Sequence, residues 1–392
     1  MEPDMKIAKT LSVLFICLSI FTAIISCTQE PMFYDVSRET KLLEKKVEGI
    51  IYNIIEYQGY LYAAGGKIWK KDKTAVRNNN DSTWSEVTTR PIDNDLYTPI
   101  DPELKAMVLR LANGDNASSV YAMSIQGQTL DEDIPGTFFM HKAVFDTEGN
   151  ITEWADIATP ENYLLKNIIS DGKNAYAILN TDGTDDLAFE IKNGAVDTSV
   201  ICATGSSSVT STKSITSFVE IQGVASCNGK QYFSKISSKN NATAPCVTQN
   251  KDYTIIYKAE TGKLSYSTDA ENFTDISHEG FIAPYSLASY EFGSEKKLLV
   301  GTAYGYYEVT LNADGTIPST AKDTGPETPQ NNYGVTIATH YTMGIFAFDD
   351  SIGAIYAAMY EYNSDYGSKY NALWAFYPGR KRNGELAEWN CE

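Results

Sequence analysis

The sequence predicts an all-β chain folded as a β-propeller of six four-stranded blades, on three observations. Short apolar, aromatic-rich segments follow turn residues at intervals of roughly 55–67 residues, close to the length of one blade. Several of the hairpins that follow end on Trp or Phe. No apolar stripe at helical period is long enough to build a core helix. The chain holds 26 Tyr and is 12% aromatic, and such side chains suit a pleated, half-buried surface. A pair of β-sandwiches is the competing arrangement.

Three segments divide the chain. Lys6 and Lys9 precede an apolar run at residues 11–26 (LSVLFICLSIFTAIIS) that ends in Ile24-Ile25-Ser26-Cys27. A basic start, an apolar segment too short to span a bilayer comfortably and a small residue before the cut describe an export signal, residues 1–26. Met1-Glu2-Pro3-Asp4 is acidic where such signals are basic, so Met5-Lys6 is the more natural start. Residues 27–48 are mostly polar or charged and read as a tether. Residues 49–392 carry the repeats.

Within the repeats, one strand recurs as Gly59-Tyr60-Leu61-Tyr62-Ala63-Ala64, Ser119-Val120-Tyr121-Ala122-Met123 and Asn174-Ala175-Tyr176-Ala177-Ile178. It returns as Lys230-Gln231-Tyr232-Phe233, Lys297-Leu298-Leu299-Val300-Gly301 and Gly353-Ala354-Ile355-Tyr356-Ala357-Ala358. A second marker is an aromatic residue opening a short final strand: Trp84, Trp154, Phe273 and Trp389. Turn chemistry precedes them, with Asn193-Gly194 and Asp314-Gly315 supplying the positive φ of tight hairpins. A Trp placed there covers the outer edge of a blade. Residues 101–113 and 160–167 are candidate single helical turns.

The end of the signal resembles the lipobox of bacterial lipoproteins, with an aliphatic residue three before the Cys (Ile24) and a small one directly before it (Ser26). That resemblance implies that Cys27 becomes the lipidated first residue of a chain moored in the bacterial cell envelope. More than one acyl chain is needed for a stable anchor, and lipoprotein maturation supplies several. Thr28, rather than Asp, follows the Cys and favours the outer membrane. Ser267-Thr268-Asp269-Ala270-Glu271-Asn272-Phe273 resembles a degenerate Asp-box, the S-x-D-x-G-x-x-W hairpin of sialidase-like propellers, with Glu271 in place of the Gly and Phe273 one position early.

Composition excludes several functions. With 32 Lys+Arg against 50 Asp+Glu, the net charge is −18, and an acidic surface repels nucleic acid and anionic headgroups. A sialidase clamps its substrate carboxylate with arginines from different blades, yet none lies between Arg110 and Arg380. No G-x-S-x-G elbow, phosphate loop or CxxC occurs, and no cofactor is expected. His141, His278 and His340 are spread over separate units. Asn180, Asp182 and Asp185 place oxygen ligands around a glycine turn and form a weak calcium candidate. Of the cysteines beyond the signal and Cys27, Cys227 and Cys246 flank one insertion and are the expected disulfide. Tyr304 and Tyr306 in one unit, and Tyr360, Tyr362 and Tyr366 in the last, are candidate recognition aromatics. The expected role is a binding or scaffolding module for an envelope protein or glycan. An envelope enzyme acting on polysaccharide is the alternative.

Overall fold

The computed structural model describes residues 47, 51–75, 83–91, 105–128, 137–181, 186–204, 219–237, 245–277, 284–302, 305–319, 323–327, 341–348, 353–360, 372–378 and 389–392. The chain divides into two compact units, Met1–Leu43 and Glu44–Glu392, and the described residues belong to the second.

That unit is all-β among the described residues. Blade 1 comprises β1 (Asn53–Tyr57), β2 (Tyr60–Ala64), β3 (Ile68–Asp72) and β4 (Ser85–Glu86). Blade 2 comprises β5 (Lys105–Gly114), β6 (Ser119–Gln128), β7 (Thr137–Phe145) and β8 (Ile151–Ile157). Blade 3 is β9 (Leu164–Ser170), β10 (Ala175–Asn180), β11 (Asp186–Lys192) and β12 (Ala195–Thr204). A two-stranded hairpin follows, β13 (Val219–Cys227) and β14 (Lys230–Ser237). Next is a blade of β15 (Cys246–Gln249), β16 (Ile256–Glu260), β17 (Lys263–Ser267) and β18 (Thr274–Ser277). The following blade is β19 (Ser286–Phe292), β20 (Glu295–Thr302), β21 (Gly305–Thr310) and β22 (Asp323–Glu327). The last is β23 (Tyr341–Phe348), β24 (Ala354–Tyr360), β25 (Ala372–Phe376) and β26 (Trp389–Cys391).

Six four-stranded antiparallel blades therefore form, as the repeats predict, and the final two are joined by a single parallel bridge, Gly305 to Tyr341. The hairpin β13–β14 fills a seventh place. The first strands pack side by side in the order β1, β5, β9, β13, β15, β19, β23 and back to β1, which closes a ring. Neither candidate helical turn forms among the described residues: residues 105–113 lie within the ten-residue strand β5, and the turn at 160–163 leads directly into β9. Val108 and Leu111 pack towards blade 1 while Leu109 and Ala112 pack towards blade 3, a β-bulge between Val108 and Arg110 setting the two faces.

The recurring tyrosine of the repeat is the joint between blades. Tyr62 on β2 donates to the carbonyl of Gly149 in blade 2 at 3.1 Å. Tyr257 on β16 donates to the carbonyl of Gly315 in the next blade at 2.7 Å. Tyr121 on β6 instead accepts from the Gly194 amide of blade 3 at 3.2 Å. In each case a buried phenol in the second strand of one blade grips the turn between the third and fourth strands of the following blade. Gly149, Gly194 and Gly315 all have positive φ (76°, 81° and 86°), which glycine adopts without a Cβ penalty. Acidic residues shape turns between third and fourth strands. Asp146 accepts from the amides of Glu148 and Asn150, and Asp269 from those of Glu271 and Asn272.

The ring closes at a seam between the first and last blades. Trp69, Trp84, Leu61 and Ile54 pack there against Tyr356, Leu373, Ala375 and Tyr377, and Val47 joins the same cluster. Inside it Lys71 of β3 lies 3.7 Å from a carboxylate oxygen of Glu392, with both side chains fully buried. Lys71 also donates to the Tyr356 hydroxyl at 2.9 Å and to that of Tyr377, and Tyr377 donates to Glu392 at 2.8 Å. Burial, with Glu392 beside it, holds the Tyr377 phenol protonated well above its ordinary range.

Two outcomes follow. Tyr257→Phe removes one buried hydrogen bond and costs about 1 kcal/mol, whereas Tyr257→Ala costs about 3–5 kcal/mol through the cavity it leaves; urea denaturation measures both. Lys71→Met strands the Glu392 carboxylate and costs about 3–5 kcal/mol, while Lys71→Met with Glu392→Leu recovers most of that loss. Equal destabilisation by the single and double variants would show that the ion pair does not hold the seam.

Candidate functional site

The first strands enclose a cavity of about 1000 Å³ at the centre of the ring. Each of the seven contributes wall residues, among them Asn53, Leu111, Ser170, Gly223, Val247, Leu287 and Phe346. A cavity of this size with a largely apolar wall lies in the range used for small-molecule binding.

Much of the polar side-chain chemistry on the wall is committed to holding neighbouring blades together. Asn53 donates to the Leu111 carbonyl at 2.6 Å and accepts from the Leu111 amide at 3.0 Å. Asn113 donates to the Glu56 carbonyl at 2.9 Å, and Ser170 to the Asn113 carbonyl at 2.6 Å. The Cys246 thiol lies 3.4 Å from the Pro284 carbonyl, and burial pushes its pKa up to about 12. Burial likewise pushes the Tyr253 phenol up to about 12. Glu56 pairs with Lys73 at 2.6 Å. Side chains only partly buried around the cavity include Ile55, Val247, Tyr285, Phe346 and Phe348, while Tyr52 is exposed.

A Ser-His-Asp relay lies elsewhere, in blade 2, and sequence motifs did not reveal it. Ser124 Oγ is 2.7 Å from His141 Nε2, and His141 Nδ1 is 2.9 Å from Asp156 Oδ1. The order matches that of acyl-transfer triads, but the exposure is inverted. Ser124 is fully buried and His141 is 3% exposed, whereas the Asp156 side chain is 88% exposed. A nucleophile must meet its substrate, and this hydroxyl is sealed between strands. The relay is a strut across β6, β7 and β8, with the serine donating to Nε2 and Nδ1–H donating to the carboxylate. The signal for it lay in cross-strand register, His141 opposite both Ala122 and Asp156.

A second polar cluster locks blade 2 to blade 3. Burial alone would raise the Asp115 carboxyl, but hydrogen bonds from Tyr121, the Asn193 amide, Ser119 and Lys142 outweigh it and hold its pKa at about 2. Tyr121 donates to it at 2.6 Å and the Asn193 amide at 2.8 Å. Its partners are all strand or turn residues, so it serves the joint.

Several sequence expectations fare differently. The Cys227–Cys246 bridge is not made, and both are free thiols. Cys227 ends β13 beside the turn that reaches Tyr253, whereas Cys246 opens β15 and reaches towards Pro284. The two therefore sit at opposite ends of neighbouring strands. Tyr306 is 3% exposed, donates to Glu308 at 3.2 Å and meets the Trp389 ring edge-on, so it is packed between blades and not offered to a partner. Tyr360 ends β24; Tyr304, Tyr362 and Tyr366 lie outside the described residues, as do Cys27, His278 and His340. Of the calcium candidates, Asp182 and Asp185 also lie outside them, and Asn180 donates to Asp186 at 2.8 Å. Among the described residues, no three His, Cys, Asp or Glu side chains cluster as metal ligands. The Asp-box-like turn does adopt the expected knot, Asp269 accepting from Ser267, Glu271 and Asn272, and hydrogen bonds from Asn272 come first in holding its carboxyl well below the usual range.

Fold and cavity together define a β-propeller protein with a central cavity lined by its first strands. The chain belongs to the TP013X lipoprotein family, which matches residues 5–324. That membership accords with a lipid-anchored protein of the cell envelope. No curated protein matches the chain. Among solved structures, the GH74 enzyme of Niastella koreensis is similar with a TM-score of 0.51 at 14% identity, over 89% of this chain and 54% of that one. This chain thus spans about half the length of that enzyme. The periplasmic gluconolactonase of Pseudomonas aeruginosa is similar with a TM-score of 0.42 at 10% identity, over 88% of this chain and 94% of that one.

Burial lowers the pKa of His141 from its ordinary 6.5. The unfolded chain then takes up a proton near pH 6.5 that the folded chain refuses, so stability is full above that pH and is lost as pH falls through it. The urea midpoint of the wild type should therefore drop between pH 7.5 and 5.5 more steeply than that of His141→Gln. Parallel slopes would show that His141 charges freely in the fold.

Proposed function

We propose that this protein is an envelope lipoprotein, held by acyl chains on Cys27, whose propeller is a binding module with its ligand in the central channel. The observation that carries this reading is the channel itself, to which every first strand contributes. A stiff ring of sheets presents such a wall with little reorganisation, which lowers the entropic cost of binding. Removal of residues 1–26 as a signal and an outer-membrane location belong to the same proposal. Tyr304, Tyr360, Tyr362 and Tyr366 enter it as candidate contacts for an envelope partner on the sequence argument alone.

The polysaccharide-enzyme alternative draws less support. Glycoside cleavage uses two facing carboxylates. Among the described wall residues the carboxylate is Glu56, and it is tied to Lys73. The likeness to a GH74 enzyme, at 14% identity, speaks to fold alone.

Two measurements test the proposal. Full-length protein should incorporate radiolabelled palmitate and fractionate with membranes, and Cys27→Ser should lose both. The purified chain should turn over none of a panel of chromogenic glycosides. Palmitate-free membrane association, or turnover abolished by Glu56→Gln, would defeat the anchor and the binding-module reading respectively.

A further inference from the structure

A glycine in one inner strand opens the channel wall to a buried hydroxyl, and an aromatic ring lines the opposite side. We infer that the channel binds a neutral sugar, its apolar ring face laid on Phe346 and one of its hydroxyls bonded to Ser234. This rests on the channel being the binding site and names the class of its ligand.

Ser234 belongs to β14, the second strand of its hairpin, yet it lines the cavity. It can do so because Gly223, its register partner on the inner strand β13, has no side chain. A Cβ on Gly223 would lie 3.4 Å from the Ser234 hydroxyl and 3.4 Å from a Val247 methyl, so the glycine leaves a notch between the two. Ser234 is 1% exposed, and its hydroxyl has no hydrogen-bond partner among the described residues. Buried hydroxyls ordinarily have a partner, and one without it beside a cavity is a place for a ligand to supply it.

The other polar groups of the wall are more fully used. Asn53 and Ser170 bond to the main chain of neighbouring blades, and Tyr285 and Ser286 have partners of their own. Asn113 Oδ1 lacks a partner among the described residues, but it is sealed from solvent. Tyr253, in the turn after β15, takes a hydrogen bond from Gln249 and keeps its phenol proton to give. The charges on the described wall are met within the protein, Glu56 by Lys73 at 2.6 Å and Arg110 by a partner of its own. What is left to a ligand is hydroxyl chemistry, which both gives and takes a hydrogen bond.

Phe346 supplies the apolar half. It lies on β23, across the ring of inner strands from β13, and is partly exposed in the wall. A Cβ on Gly344 would come within 2.6 Å of its Cζ and 2.7 Å of its Cε2, so the ring folds back along its own strand over that glycine. A pyranose has an apolar face of C–H groups and a rim of hydroxyls, and these two walls match its two kinds of surface. A wholly apolar ligand would leave Ser234 unpaired, and an ion would find no free counter-charge on the described wall.

The test uses the full chain in nanodiscs, with empty nanodiscs as the blank. Saturation-transfer NMR is titrated with the methyl glycosides of glucose, galactose, mannose and N-acetylglucosamine, and with 2-naphthylmethanol as an apolar control. At least one glycoside should bind saturably. The φ of Gly223 lies outside the left-handed region and an added Cβ meets ordinary contacts, so Gly223→Ala should melt like the wild type. It fills the notch, and glycoside affinity should fall about ten-fold, the worth of one hydrogen bond. Ser234→Ala should weaken binding equally, and the double variant no further. Phe346→Leu should weaken it by a similar factor. The oligosaccharide of whichever sugar binds then separates a free sugar, which alone would enter, from a polysaccharide end, for which both bind alike. A glycoside held equally by the wild type and all the variants overturns the site. Binding of 2-naphthylmethanol in place of every glycoside, lost in Phe346→Leu, overturns the sugar and leaves the channel as a binding site. Failure of every probe to bind overturns the inference. Hydrolysis of a bound glycoside would bear out the sugar and defeat the binding-module reading instead.

Discussion

Closure of the ring is the constraint on which the rest of the fold depends. A propeller blade is apolar on both faces, so an open arc would leave one face of the first blade and one of the last in water. Here the closing contact includes a main-chain hydrogen bond, the Val47 amide donating to the Glu392 carbonyl at 3.4 Å. It rests on a packed seam, Trp69 and Trp84 against Tyr356 and Tyr377, with Lys71 and Glu392 buried inside it. A buried ion pair repays its desolvation only when further hydrogen bonds satisfy it, and the hydroxyls of Tyr356 and Tyr377 provide them for Lys71 and for Oε1 of Glu392. Such a pair adds little net stability over apolar packing, but an unmatched partner is costly. It therefore tolerates one alignment of the two end blades and penalises others.

Away from the seam the same problem is met by a repeated device. A buried tyrosine on the second strand reaches the turn between the third and fourth strands of the next blade, and the turn is shaped by glycine with positive φ and by an acid accepting backbone amides. The phenol is long enough to cross the seam between sheets while its ring fills the space behind it. At Tyr62, Tyr121 and Tyr257 the hydroxyl makes this contact, which phenylalanine would lack. It also accounts for many of the 26 tyrosines without invoking surface recognition, since Tyr62, Tyr121, Tyr257, Tyr306 and Tyr356 are all buried.

Toward the axis, the polar side chains perform a similar service. Asn53, the Asn113 side-chain NH2 and Ser170 each bond across to the main chain of a neighbouring blade. The inverted Ser124-His141-Asp156 relay makes a related point, since three residues in catalytic order do structural work when the hydroxyl is the buried end.

What the sequence determined by itself was the class of the body, because its signals are local. Period-two strands, Asn-Gly and Asp-Gly turns and terminal tryptophans report on neighbours a few residues away, and they marked blades 1, 2 and 3 and the final blade closely. The hairpin β13–β14, whose Lys230-Gln231-Tyr232-Phe233 is one copy of the repeat, is not separated in the sequence from the strands β15–β18, because both fall within a single interval, Lys230 to Lys297, that passes for one blade. Tertiary structure alone decided the pairing of Lys71 with Glu392, 321 positions apart in the sequence, the burial of Tyr306, the separation of Cys227 from Cys246, and the Asn53-to-Leu111 joint. Each depends on which surfaces meet when the ring closes, and no local pattern encodes the meeting of residues that far apart.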